Sequence, residues 1–81
     1  MIDEARLRKA TADVLLPHMG VAAEFVAEDA VEQLTSAKAY DKLPDEARLR
    51  VFFIGLAGLV DKTLSADNIR QQILKNYGGP R

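Results

Sequence analysis

Apolar residues recur along this chain at spacings of three and four, the period of an amphipathic α-helix. Nowhere do they alternate in twos over a β-branched run, as a half-buried strand would require. The pattern therefore predicts helix almost throughout. A first helix over residues 4–16 puts Leu7, Ala10, Val14 and Leu15 on one stripe, with Arg6, Arg8, Lys9 and Asp13 on the remaining surface. Asp3 suits its N-cap, because a carboxylate accepts from the free N–H groups of a first turn, and Ile2 and Leu7 have staple spacing around it. Pro17 is expected to end this helix, since proline pushes the preceding residue out of helical geometry. A second helix over 19–34 lines up Met19, Ala22, Val26 and Ala30, with Phe25 and Leu34 alongside. Ser36 fits the N-cap of a short helix over 37–41, with Ala37 and Tyr40 facing inward.

The segment 45–62 reads as the hydrophobic centre. Val51 to Val60 is apolar around the whole helical circumference, as in a helix surrounded by protein. Pro44, Asp45 and Glu46 suit its first turn and the positive end of its dipole. Gly55 and Gly58 share a face, and each costs up to about 1 kcal/mol of helix propensity relative to alanine, so close approach of a neighbouring helix is the expected compensation. A last helix over 66–77 starts at the cap Ser65, with Leu64 and Ile69 as its staple and Ile69, Ile73, Leu74 and Tyr77 as its buried stripe. Gly78 is expected in the left-handed position that closes a helix, and residues 78–81 as a frayed tail behind it. The expected fold is all-α: one domain over 1–81, a bundle of four main helices plus one short one, with 45–62 in the middle.

Composition narrows the chemistry. The 81 residues are 48% hydrophobic and 28% charged, a globular balance, with a formal net charge of −1. There is no cysteine, which excludes disulfides, thiolate zinc sites and cysteine nucleophiles. A basic excess for neutralising phosphates is missing, so nucleic acid is not the expected partner. The start, Met1-Ile2-Asp3-Glu4, lacks the positive, then apolar, character of a signal peptide, and the apolar run 51–60 is about half the length of a membrane span; a cytoplasmic location with no membrane contact is expected.

Few residues could carry a reaction. His18 is the single histidine and has no ligand-type neighbour at metal-binding spacing, so it reads as a surface or capping residue. Glu24, Glu28 and Glu32 stand at i, i+4 and i+8 with Asp29 nearby, but without the Glu-x-x-His pairs of a di-metal bundle or a calcium loop. Like charges at that spacing destabilise a helix slightly, so the line either has basic neighbours or awaits a basic partner. No nucleophile elbow, P-loop or dinucleotide fingerprint occurs. The polar residues Asn68, Arg70, Gln71, Gln72, Lys75 and Asn76 are types that contact bases and phosphates, which leaves a helix-turn-helix-like DNA-binding protein using the 66–77 helix as the alternative. Phe52 and Phe53 point about 100° apart on a helix, so one is core and the other is core or an interface anchor.

Two stretches resemble a small helical domain of unknown function appended to bacterial serine/threonine kinases and other signalling proteins. In Leu16–Ala30 the positions Gly20, Ala23, Phe25, Val26 and Ala30 fit its pattern, and Leu43-Pro44-Asp45-Glu46-Ala47 leading to Phe52-Phe53 looks like its second helix start. Val21 stands where that family prefers proline, the spacing between the stretches is shorter, and the helix after Ser65 is additional. The resemblance implies a signalling or scaffolding context without catalytic residues. The combined expectation is a non-enzymatic protein–protein interaction module, an adaptor, scaffold or self-association unit, with no cofactor and no metal. Its partner would be another protein, one with a basic surface, or a second copy. Glu24, Glu28 and Glu32 are the candidate contacts by charge and Phe53 by burial.

Overall fold

The computed structural model describes residues 2–78, most of them in four helices: α1 (Glu4–Met19), α2 (Ala22–Thr35), α3 (Asp45–Ala57) and α4 (Ala66–Gly78). A 3₁₀ turn, Tyr40–Lys42, lies between α2 and α3, and no strand occurs among the described residues. The expected frayed segment 79–81 lies outside the described residues.

Side-chain caps fix the starts of α1 and α4, while α2 and α3 begin without one. The Asp3 carboxylate accepts from the Arg6 N–H at 3.2 Å, and Ile2 and Leu7 are both buried, as the cap and staple require. At α4 the Ser65 hydroxyl accepts from the Asn68 N–H at 3.3 Å. Helix ends depart further from expectation. Pro17 does not stop α1, which runs on to Met19. Proline removes one hydrogen bond, to the carbonyl of residue 13, and in the last turn of a helix that loss is bearable. The stop is Gly20, at φ 59 and ψ −138, whose N–H closes on the Leu16 carbonyl at 2.9 Å. Gly78, expected in that role, is instead the last helical residue of α4 and has no positive φ. Ser36 closes α2, donating its N–H to the Glu32 carbonyl at 3.0 Å, rather than opening a helix over 37–41.

The helix over 45–62 is shorter than expected. It ends at Ala57, where the Gly58 and Leu59 N–H groups turn back to the carbonyls of Gly55 and Leu56. Beyond it the Asp61 carboxylate accepts from the Thr63 N–H at 2.9 Å, a local turn that competes with continued helix and holds the Asp61 pKa below its ordinary value.

Packing centres on α1 and α2. The two form a hairpin across the Gly20–Val21 turn; α4 then packs on α1 and α3 on α2, so α3 is a flank and not the middle of the bundle. Leu7, Ala10, Val14 and Leu15 of α1 are buried as expected. Thr11 is also buried, its hydroxyl donating to the Leu7 carbonyl at 2.8 Å. On α2 the expected Ala30 and Leu34 are buried and Val26 is half-buried against the core, but Ala22 and Phe25 face outward and Ala23 and Ala27 are buried in their place. From α3, Phe52 and Leu56 reach the core, with Phe53 edge-on to Phe52 at 5.3 Å between ring centroids. The close contact expected at Gly55 comes from the Gln33 side chain, 2.9 Å from where a Cβ would stand, and at Gly58 the one atom near that position is the Gly55 carbonyl oxygen of α3 itself, at 3.5 Å, so no neighbouring helix approaches it.

Two arginines tie the periphery together. Arg48, only 6% exposed, donates Nε to the Tyr40 carbonyl at 3.0 Å and Nη2 to the Asp41 carbonyl at 3.2 Å while lying 4.4 Å above the Tyr40 ring. It thereby holds the turn that follows Ala39, a non-glycine residue at φ 63. Arg6 lies over the Tyr77 ring and donates to the Tyr77 carbonyl, and the Asp3 N–H donates to the Tyr77 Oη at 2.9 Å.

Gly20→Ala should cost about 1–3 kcal/mol, because the open space around this residue leaves backbone strain as the only penalty; urea denaturation measures it. Tyr40 supplies a pH signature. Its burial, and then its 3.1 Å hydrogen bond to Glu4 Oε2 and that carboxylate's charge, raise the phenol pKa. The folded state thus holds this proton more tightly than the unfolded chain. The associated stability is complete below the unfolded pKa of about 10 and is lost as pH climbs through the higher folded value. The stability difference between the natural chain and Tyr40→Phe should therefore shrink above about pH 10, as denaturant titrations at stepped alkaline pH would reveal.

Candidate interaction surface

α3 and α4 are consecutive in the chain, joined by residues 58–65, yet they share no extended contact of the kind made by the other neighbouring pairs. Along their seam a cleft of about 500 Å³ opens. Leu49, Phe53, Ile54 and Ala57 line it from α3 and Leu74 from α4. A smaller hollow continues it past Phe53 toward the buried Leu56 and Ile69. The period of α3 explains the lining. Arg48, Phe52 and Leu56 take the inward face at i, i+4 and i+8, so Ile54 must point elsewhere and is 70% exposed. On α4, Ile69 and Ile73 take the core and Leu74, expected beside them, is left partly exposed on the cleft.

The cleft walls are apolar and the rim is charged in balanced pairs. Arg50 stands 4.0 Å from Glu46 on α3, and Arg70 stands 3.6 Å from Asp67 on α4. All four are well exposed, so each pair contributes at most a few tenths of a kcal/mol. The apolar lining offers a side chain burial without asking it to desolvate a rim charge.

Phe53 is half-buried and lines the cleft, so it is the one candidate contact found there. Glu24, Glu28 and Glu32 lie exposed on the opposite pair of helices. Glu24 and Glu28 share a shallow groove with Arg8, Lys9 and Asp13 of α1, and Glu28 and Glu32 share another with Glu4 and Arg8. The acidic line therefore has basic neighbours of its own, and the structure does not bring it together with Phe53. Ile54 and Leu74 are the cleft residues that sequence reasoning assigned to the interior. A signal was present: an unbroken apolar run on a helix that already commits one face to the core leaves some of its residues outside.

The other features carry less. His18 is exposed in the last turn of α1. Among the described residues no group of three His, Asp or Glu side chains is placed to hold a metal ion, and no helix is long and apolar enough to cross a membrane. Asn68, Arg70, Gln71, Gln72, Lys75 and Asn76 are all exposed on α4, but the connection 58–65 is longer than the three- or four-residue turn of a helix-turn-helix. No family model, curated protein or solved structure matches this chain.

Arg8→Glu should lower stability by up to about 1 kcal/mol, by adding a like charge beside Glu4, Glu28 and Glu32. The loss should fade as salt is raised, because both sides of the groove are exposed; chemical denaturation at low and high ionic strength measures it.

Proposed function

We propose that this chain is a non-catalytic interaction domain that receives an apolar segment of another protein chain in the α3/α4 cleft. One observation carries the reading: Phe53, Ile54 and Leu74 converge on a hollow that the chain's own helices leave unfilled. Protein interiors are packed to near-crystalline density, so a lined apolar gap between helices is a place where something else binds. Exposed apolar groups rimmed by charge are the usual character of such surfaces. The charged groups at the rim are all exposed, whereas chemistry would call for a titratable group held away from water beside a second group it could work with.

The acidic line Glu24, Glu28 and Glu32 has a lesser place in this reading. Its charge is offset by Arg8 and Lys9, so it serves as a soluble outer face and as a weaker contact for a basic partner. The resemblance to domains appended to bacterial signalling proteins supports a scaffolding role in a cytoplasmic signalling assembly.

A photo-crosslinking residue introduced at position 54 tests the cleft in cells, with position 29 as a control, since Asp29 is exposed on α2 and lines no groove described above. Covalent adducts are expected at 54 and not at 29. No adduct at 54, or equal adducts at both, would overturn the reading.

A further inference from the structure

We infer that the occupant of the α3/α4 cleft is a second copy of this chain, related to the first by a two-fold axis; the inference rests on the cleft being a docking surface. A two-fold interface uses one patch twice, so that patch must carry both a protrusion and a recess to receive it. This one does. Ile54 stands 70% exposed on the outer side of α3, at the edge of a recess that Leu49, Phe53, Ala57 and Leu74 also line. Each Ile54 can then fill the recess of its partner, and both isoleucines leave water together.

The rim charges point to the same occupant. Glu46 and Arg50 stand one turn apart on α3, and Asp67 and Arg70 on α4, so each wall contributes one acid and one base. A strongly acidic or strongly basic partner meets no net opposite charge at this rim. A second copy does find complementarity there. An axis perpendicular to α3 runs the two α3 helices antiparallel, which reverses the order of acid and base between the copies. The exposed i,i+4 pair within each chain is weak and readily exchanged for a pair across the interface.

The dimensions set the strength. Helices of 13 residues are about 20 Å long and about 10 Å wide, so α3 and α4 side by side offer a footprint of roughly 400 Å² per copy. That is at the small end of known interfaces, where contacts are reversible. The dimer should accordingly come and go with concentration and not be obligate.

Sedimentation velocity on the purified chain from micromolar to millimolar concentration tests this. The natural chain should pass from monomer to dimer and go no further. Ile54→Asp should weaken the dimer by more than about tenfold, since it would bury a carboxylate without a partner. Leu74→Gln, on the other wall, should weaken it too, and Phe25→Asp, on the remote α2 surface, should leave it unchanged. The helical circular-dichroism signal reports that each variant is folded. A monomer across the whole range, growth beyond the dimer, or equal weakening by Phe25→Asp would overturn the inference. If the purified chain stays monomeric while position 54 crosslinks to a different protein in cells, the second copy is excluded and the docking reading survives. If position 54 gives no adduct either, both fall.

Discussion

The approach of α1 to α2 is the constraint on which the remaining arrangement depends. Ala23, Ala27 and Ala30 form an almost featureless surface on α2, against which Leu7, Val14 and Leu15 are buried from α1. Alanine gives up no side-chain entropy on burial, and the large apolar volume of the seam comes from Leu7 and Leu15 of α1 and Leu34 of α2, all fully buried. The flanking helices then join the same core from its two sides, α4 beside α1 with Ile69 and Ile73, and α3 beside α2 with Phe52 and Leu56. Nothing of comparable extent draws α3 and α4 toward each other. The open seam is therefore a product of the packing scheme, because the hairpin commits its two sides to two different partners.

Burying Arg48 would be costly if any part of its guanidinium lacked a partner. Here two carbonyls, the face of Tyr40 and the Asp45 carboxylate at 3.8 Å surround it. The same carbonyls belong to the turn that returns the chain from α2 to α3. One side chain thus both satisfies the charge it carries and adds to the backbone hydrogen bonds that hold this turn, in which Ala39 takes a left-handed conformation. Lysine could not substitute, because the planar fork makes two differently directed donations at once.

Much of this architecture was legible in the sequence, and the parts that were not have physical explanations. The caps Asp3 and Ser65 were readable because capping depends on residues within one turn. The stripe of α1 was readable because its large side chains stand apart from its charged ones. On α2 the buried Ala30 and Leu34 were readable, but Ala22 and Phe25 were assigned inward in place of Ala23 and Ala27, because a run of neighbouring apolar residues leaves the exact rotation of a helix open. Proline and glycine misled in opposite senses at the α1 end, since Pro17 comes late enough in the helix to be accommodated and the backbone reversal falls on Gly20. Arg48 carries no local signal, as its partners Tyr40 and Asp41 become neighbours only after the turn has formed. At the candidate surface, Phe53 was legible from its adjacency to Phe52. Ile54 and Leu74 were not, because their exposure is set by which helices fail to meet.

The contacts of Tyr77 with Asp3 and Arg6 bring the first residues of α1 and the last of α4 side by side. In space the helices run α4, α1, α2, α3, a rotation of their order in the chain. A circular permutant with its old ends spliced together and new ones opened within residues 58–65 would make the two orders agree. Every packed pair of helices would then also be consecutive, which lowers the mean sequence separation of contacts and so speeds folding. The new break would fall beside the open cleft, in the one connection that links helices without an extended contact. This bundle's connectivity is thus separable from its packing, and the hairpin of α1 and α2 would survive the rearrangement intact.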